Sequence, residues 1–416
     1  MGLFKRKKEA IEKARLDQTH EIICLYCFRN FTHDRVMFRA LESIDAEGYR
    51  SKYDHILDEY RAKFHLDTAG ELNASLDPDN FDEVAKGYHR GVLSSLKDDY
   101  ENITTKRICP YCHNDIPQSA GFAPSTIISV VGATGSGKSV YLTSLIHTLK
   151  TITPRHFPIF CTPISNEMGR KFKLEYEDPL IENGFLLDPT QKEKQQEPFI
   201  FTFSFSDDTK PEISIAFFDV AGEGMVDTAY MDIYAANIRN SSGILFLIDP
   251  IQFRSIGRKI QLKNDLDDRM AFSEEPTDVL SGLVEDYIYK QGGGVSEIPT
   301  AVVLTKTDLL EALQHDGEYI RPQSDMFSNY THRTFFNLTE FDKIDMEVEA
   351  LIATVDPNFR NALKRRFARL GFFAVSALGS KPDGQRVASF APLRVDEPFL
   401  WLLYQLGYIE GIERES

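Results

Sequence analysis

The chain has 416 residues, 42% of them hydrophobic, enough for conventional cores in two or three domains. A formal charge of −16 argues against a general polyanion binder, because neutralising a phosphate backbone takes a surplus of lysine and arginine. No run of 18 or more apolar residues offers a membrane span and the start MGLFKRKKEAIEKARL lacks the apolar core of a secretory signal, so the expectation is a soluble cytoplasmic protein.

The basic run KRKK after Leu3 and Phe4 has the charge to touch an anionic membrane surface, and Gly2 fits the start of a myristoylation signal. Arg6 stands where that signal needs Ser or Thr, so a solvated terminus is expected. Next come two short motifs, CLYC at Cys24 and Cys27 and CPYC at Cys109 and Cys112, which hold four of the five cysteines. In a reducing compartment two such knuckles supply four thiolates suited to a tetrahedral Zn²⁺. Reduced thiols in a core would not explain the paired spacing, and a redox pair would need a thioredoxin-like βαβ context that is missing. His20, His33 and His113 lie near the knuckles, but four cysteines complete the set. Between the knuckles, stretches such as DRVMFRALESIDAEGYRSKYDHILDEYRAKF and FDEVAKGYHRGVLSSLKDDY place apolar residues three and four apart. Residues 1–120 therefore read as a zinc-ribbon module with a helical insertion over 28–108.

NDIPQSAGFAPS reads as a linker into a second unit, 121–416, where strands and helices alternate as in a mostly parallel α/β sheet flanked by helices. Strands are expected at 127–131, 199–205, 213–218, 244–248, 301–304 and 372–375. A helix is expected around EPFLWLLYQLGYI with Trp401, and a surface loop at LQHDGEYIRPQSDMFSNYTHRT, inside an insertion at about 311–345. Cys161 reads as a small core residue.

The first of these strands runs into GATGSGKS, which satisfies G-x-x-x-x-G-K-[ST] with Gly132, Gly137, Lys138 and Ser139. A glycine-rich turn before a helix leaves several backbone N–H groups facing one concavity, with the helix dipole behind them. Gly132, Ala133, Thr134, Gly135, Ser136 and Gly137 would cradle phosphates, with Val140 alongside. Lys138 can reach β- and γ-phosphate oxygens and Ser139 can ligate Mg²⁺. ISIAFFDVAGEG then ends a strand on Asp219, suited to hold Mg²⁺ through water, while Gly222 offers a backbone N–H to a γ-phosphate. In VVLTKTDLL, Asp308 can accept both the N1–H and the amino hydrogens of guanine while the stem of Lys306 lies across the ring. Ser376, Ala377 and Leu378 of FFAVSALGS follow another strand, where a backbone N–H can meet guanine O6.

In order, GATGSGKS, DVAG, TKTD and SAL resemble the motif series of Ras-like, translation-factor-related GTPases over about residues 125–410, with the Thr305 form of the guanine motif also found among Rho-type members. The cysteine-knuckle start, the long gap before DVAG and the LLDPTQ segment look like the bacterial double-GTPase family, proteins proposed to act in pairs in conflict or stress systems. The resemblance implies GTP/GDP and Mg²⁺ as ligands beside Zn²⁺, and a protein partner, either a second GTPase or an effector. It also implies a switch I threonine bound to Mg²⁺. Thr190 is the best match in the long segment 151–198, with Thr162 and Thr153 as poorer ones. Glu223 stands where Ras-like proteins carry a water-orienting glutamine, so slow intrinsic hydrolysis is expected, with Lys138, Thr190, Gly222 and Glu223 as the catalytic set. Arg170, Arg254, Arg258 or a partner would have to supply an arginine finger. Three functions stay open: a GTP-hydrolysing switch, a non-hydrolysing GTP-binding scaffold, and a nucleic-acid-associated GTPase using the zinc ribbon. The net charge disfavours the last.

Overall fold

The computed structural model describes residues 19–133, 135–187, 197–207, 210, 212–219, 236–264, 275–283, 293–314 and 319–413. Thr134, Thr190, Gly222 and Glu223 lie outside these, and of Asp219 only the backbone is described.

A seven-stranded sheet organises the larger unit. In chain order its strands are β1 (Thr126–Gly132), β2 (Ile159–Pro163), β3 (Phe199–Phe205), β4 (Ile213–Asp219), β5 (Gly243–Ile248), β6 (Thr300–Leu304) and β7 (Leu370–Ala374). In space they run β2-β3-β4-β1-β5-β6-β7. The β4-β1-β5-β6-β7 portion is parallel, and β2 and β3 are antiparallel additions. Every residue of β1, β5 and β6 is buried, the pattern of strands covered on both faces, which is why they read as unbroken apolar runs.

Helices α1 (Lys138–Thr151), α2 (Asn166–Phe172), α3 (Arg254–Asn264), α4 (Pro276–Leu283), α5 (Leu338–Val355), α6 (Pro357–Arg366) and α7 (Glu397–Gln405) surround the sheet. One face packs Tyr141 and Leu145 of α1, Phe172 of α2 and Phe399 and Trp401 of α7 over Phe201, Phe203 and Phe217. A Cβ at Gly371 would come within 2.9 Å of the Trp401 ring, so glycine there lets that indole approach β7 closely. On the other face, Ile256 of α3, Leu351 of α5 and Phe359 of α6 cover Phe246, Val302 and Phe372.

The remaining half of that second face is covered by the N-terminal module. There Ile127, Ile200 and Ala216, neighbours across β1, β3 and β4, join the core of the N-terminal module, with Leu25, Phe28 and Ile116. Asn240 donates to the Phe28 carbonyl at 3.0 Å and Ile23 N donates to Ser125 Oγ at 3.0 Å, tying module to sheet. The expected linker is fixed in place: the buried Arg107 guanidinium donates to the carbonyls of Pro117, Gln118 and Ala120, each at 2.9 Å. Burial pulls its pKa down to about 10, which leaves it charged at neutral pH.

Three expectations need correction. The insertion over 28–108 is mainly strand and turn; its one α-helix among the described residues is His55–Ala62, capped by Asp54. Lys86–His89 and Val92–Lys97 form a hairpin across Arg90 and Gly91, both at positive φ (46° and 80°), the backbone a two-residue hairpin turn needs. A register shift between Gly87 and Tyr88 breaks the alternation, and Val92, Leu93 and Leu96 consequently show helix-like spacing. Second, the stretch expected as a surface loop buries Ile320, Met326 and His332, and α5 begins inside the supposed insertion. Third, β2 and α2 occupy the long segment before β3 and were not expected. α2 continues as a π-helix, Lys173–Glu182, around Pro179, whose missing N–H rules out ordinary helical pairing there.

Candidate nucleotide site and cysteine cluster

The loop between β1 and α1 is set by glycines. Gly135 and Gly137 hold φ of 78° and 84°, left-handed values that a side chain resists, and Gly137 caps α1. A Cβ on Gly132 would meet Leu247 O at 2.5 Å and Ser136 Oγ at 2.7 Å. Inside the loop, Lys138 Nζ donates to Gly132 O at 2.8 Å and Ala133 O at 3.1 Å, so the ammonium is folded over the turn whose amides it would share with an anion. Ser136 Oγ is buried with no hydrogen-bond partner among the described residues. A concavity lined by backbone amides, a buried lysine and an orphaned hydroxyl fits a phosphate chain. Ser139 is the second residue of α1, and the Asp219 Cα pairs with Val130, two residues before Gly132. The backbone thus places a hydroxyl and a carboxylate residue on either side of the loop, a donor set suited to Mg²⁺.

Beyond the loop, at the exits of β6 and β7, lies a cavity of about 370 Å³. Val140, Lys306, Asp308, Ser376, Ala377 and Leu378 line it, closed on one side by Leu186 and Leu187. Lys306 adopts φ 51° and donates to Gly135 O at 2.9 Å, which holds its stem against the phosphate loop. Thr305 Oγ1 donates to Ser136 O at 2.9 Å. Ser376 Oγ donates to Asp308 Oδ1 at 2.6 Å, fixing the carboxylate. Ser144 of α1 donates to Ala377 O at 2.7 Å. The structure therefore gathers Gly132, Gly137, Lys138, Ser139, Thr305, Lys306, Asp308 and Ser376–Leu378 around one groove, as sequence order alone could not show.

Asp249 is a residue that sequence reasoning missed. Its carboxylate is buried, accepts from Lys306 Nζ at 2.6 Å and caps the turn Pro250–Gln252. The signal was there: in FLIDP a carboxylate ends a buried parallel strand, where open α/β sheets bind ligands. Thr153 drops out as a metal ligand, since it is fully buried and donates to Asp396 Oδ2 at 2.5 Å, on the far side of α1 from the phosphate loop. Thr162 sits on β2, paired with Thr202. Arg170 and Arg258 are exposed and Arg254 pairs with Glu275; none lines the cavity.

The four cysteines of the module do meet. All four Sγ atoms lie within 4.8 Å of one another, with Cys24–Cys112 at 3.6 Å and Cys27–Cys109 at 3.8 Å, and none forms a disulfide. A tetrahedral ion with bonds of about 2.3 Å separates its sulfurs by about 3.8 Å. The two knuckles are built alike. Phe28 N donates to Cys24 O at 2.9 Å and His113 N to Cys109 O at 3.0 Å, each from a left-handed residue (φ 57° and 55°). Tyr26 N and Tyr111 N each point at the first sulfur of their knuckle, at 3.5 and 3.4 Å. Asn114 Nδ2 adds a donor to Cys112 Sγ at 3.4 Å. N–H groups aimed at sulfur stabilise thiolates, so the donor set fits zinc. Behind it, His113 Nδ1 sits 2.8 Å from an Asp54 carboxylate oxygen that also pairs with Arg39 at 2.9 Å.

A family model for Double-GTPase 2 matches residues 126–362, more than half of the chain. The putative ESX-1 scaffolding and assembly protein SaeC of Mycolicibacterium smegmatis is 25% identical over 328 residues, spanning 73% of this chain and 80% of that protein. Among solved structures, the Arl6 small GTPase of Trypanosoma brucei is 13% identical with a TM-score of 0.26, covering 67% of this chain and 95% of that one. A putative nucleolar GTP-binding protein 1 of Plasmodium falciparum is 11% identical with a TM-score of 0.27, covering 68% and 86%. Likenesses at such scores add no weight to the strand order itself. With a family match over more than half its length, the chain belongs to the Double-GTPase 2 family, whose GTPase-type fold supports guanine-nucleotide binding.

Proposed function

We propose that the chain is a GTP-binding and GTP-hydrolysing switch with slow intrinsic turnover, acting with a protein partner. The observation that carries this is Asp308, held by Ser376 at the wall of a cavity that opens directly beyond the phosphate loop. Guanine presents two hydrogen-bond donors to such a carboxylate and adenine presents no such pair. Lys138 and the loop amides neutralise phosphate charge, and Gly222 and Glu223 are assigned the γ-phosphate contact and the orientation of water. Ser139, Asp219 and Thr190 would hold Mg²⁺, which would supply positive charge to the phosphate chain. With Glu223 in place of a water-orienting glutamine and the arginine finger assigned to a partner, intrinsic turnover on the order of 10⁻³ per second or below is expected, with acceleration from that partner. Zn²⁺ on Cys24, Cys27, Cys109 and Cys112 holds the N-terminal module together.

Single-turnover GTP hydrolysis by purified full-length protein tests this reading. Release of phosphate from GTP at such a rate, with none from ATP, supports it. Glu223→Ala should slow release about tenfold to a hundredfold with GTP affinity nearly unchanged, as for a contact made in the transition state. A second reading is favoured by the relative named as a scaffolding and assembly protein: nucleotide would then serve the fold alone. Tight GTP binding with no phosphate release over hours would select it.

A further inference from the structure

Ser376 is gripped from two directions. Its hydroxyl meets Asp308, and its backbone exchanges two hydrogen bonds with Leu393, Leu393 N to Ser376 O at 2.8 Å and Ser376 N to Leu393 O at 3.1 Å. The position of the Ser376–Leu378 turn is therefore set by whatever holds Leu393.

What holds it is a buried charged network. Arg394, the next residue, is 2% exposed and sits at φ 54°, a left-handed backbone that arginine seldom adopts. Its guanidinium donates to both Glu397 oxygens at 2.7 Å, to Glu340 Oε1 at 3.1 Å and to Ser328 O at 2.8 Å. Glu340 in turn accepts from Thr331 N and Thr331 Oγ1. Asn337 N donates to His332 Nδ1 at 3.1 Å, which places the ring proton on Nε2, where it donates to Glu397 at 3.0 Å. Asp396 accepts from Tyr330 OH at 2.6 Å and from Thr153, at the foot of α1.

Ser328, Tyr330 and His332 belong to the irregular stretch that leads into α5, and Glu340 stands in the first turn of that helix. Apolar packing would serve stability as well as this assembly does, since buried ion pairs are costly to desolvate. What a fully satisfied network supplies is one fixed geometry. We propose that this stretch is a brace for base recognition, and that Arg394 is a positioning residue that sets guanine specificity through Leu393 and Ser376. The inference rests on the reading of Asp308 as the guanine contact. The phosphate cradle is made by the β1–α1 loop, whereas the brace reaches α1 beyond that loop, through Tyr141 OH to Val395 O at 3.1 Å and through Thr153.

The test is the ratio of GTP to ATP affinity, with zinc content and thermal unfolding measured on the same full-length preparations. Arg394→Gln should weaken GTP about tenfold or more and leave the weaker ATP affinity unchanged, so the ratio narrows. Arg394→Lys keeps the charge but loses the planar fork, and should recover only part of the ratio. If Arg394→Gln does not fold, Glu340→Gln and Tyr330→Phe remove one strut each and should narrow the ratio in smaller steps. An unchanged ratio, or equal weakening of GTP and ATP, in any folded variant overturns the proposal. A wild-type protein without guanine preference would instead overturn the Asp308 reading, and the brace with it.

Discussion

The parallel sheet and the cysteine module solve the same problem in different ways. β1, β5 and β6 are five to seven residues long and wholly buried, and their cores contain ten or more large side chains on each face. In the module most strands are two or three residues long, and order comes from turns, a guanidinium threaded through carbonyls and four sulfurs at one point. A sheet of this kind is held by apolar area, at roughly 25 cal/mol for each Å² removed from water. The module instead depends on a few strong local bonds. Its own core nonetheless runs on into Ile127, Ile200 and Ala216, so loss of the module would uncover half a face of the nucleotide-binding sheet.

Removing the metal is the strongest way to break this contrast. Apparent zinc affinities in such sites are about 10–16 kcal/mol, so chelation or Cys109→Ser should unfold the module and open residues 19–120 to protease. Elemental analysis of protein purified without chelator should give one Zn²⁺ per chain. If the metal is absent and the module still resists protease, the contrast is void. In the sheet unit the largest single loss should come from Trp401→Ala, about 3–5 kcal/mol by chemical denaturation, with zinc content unchanged. The indole is 2% exposed and packs on Phe341 and Phe373.

A smaller effect sharpens the comparison through pH. Asp345 on α5 accepts from Phe372 N of β7 at 2.8 Å, and burial pushes its carboxyl up to about 6. A raised folded-state pKa favours the protonated form, so its contribution to stability is present below about pH 4 and lost as pH rises through 6. Asp345→Asn should therefore stabilise the protein by about 2 kcal/mol at pH 8 and by nearly nothing at pH 4, read from paired denaturation curves. Equal stabilisation at both pH values would mean the carboxyl is not perturbed.

Legibility in the sequence follows the same line. Six of the seven sheet strands were readable because burial leaves long apolar runs; β2, at the sheet edge with Phe160 and Thr162 exposed, has no such run. The phosphate loop and Asp308 were readable because backbone geometry and base complementarity demand those residue types. Asp249 was not singled out, because its partner Lys306 lies 57 positions away. Within the module, FDEVAKGYHRGVLSSLKDDY reads as helical because one bulge and one two-residue turn imitate helical spacing in Val92, Leu93 and Leu96. The brace on Arg394 was invisible because its members are scattered polar residues whose sense is three-dimensional.

Competition binding most directly tests the central claim that the cavity beside Lys306 reads guanine through Asp308. Labelled GTP on full-length protein would be displaced by GTP, ATP and xanthosine triphosphate, for the wild type and for Asp308→Asn. The account predicts that the wild type prefers GTP and that Asp308→Asn weakens GTP by about 3 kcal/mol while turning preference toward the xanthine nucleotide, which presents an acceptor where guanine presents its amino group. Equal displacement of the label by ATP and GTP from the wild type, or an unchanged order of preference in the variant, would contradict it.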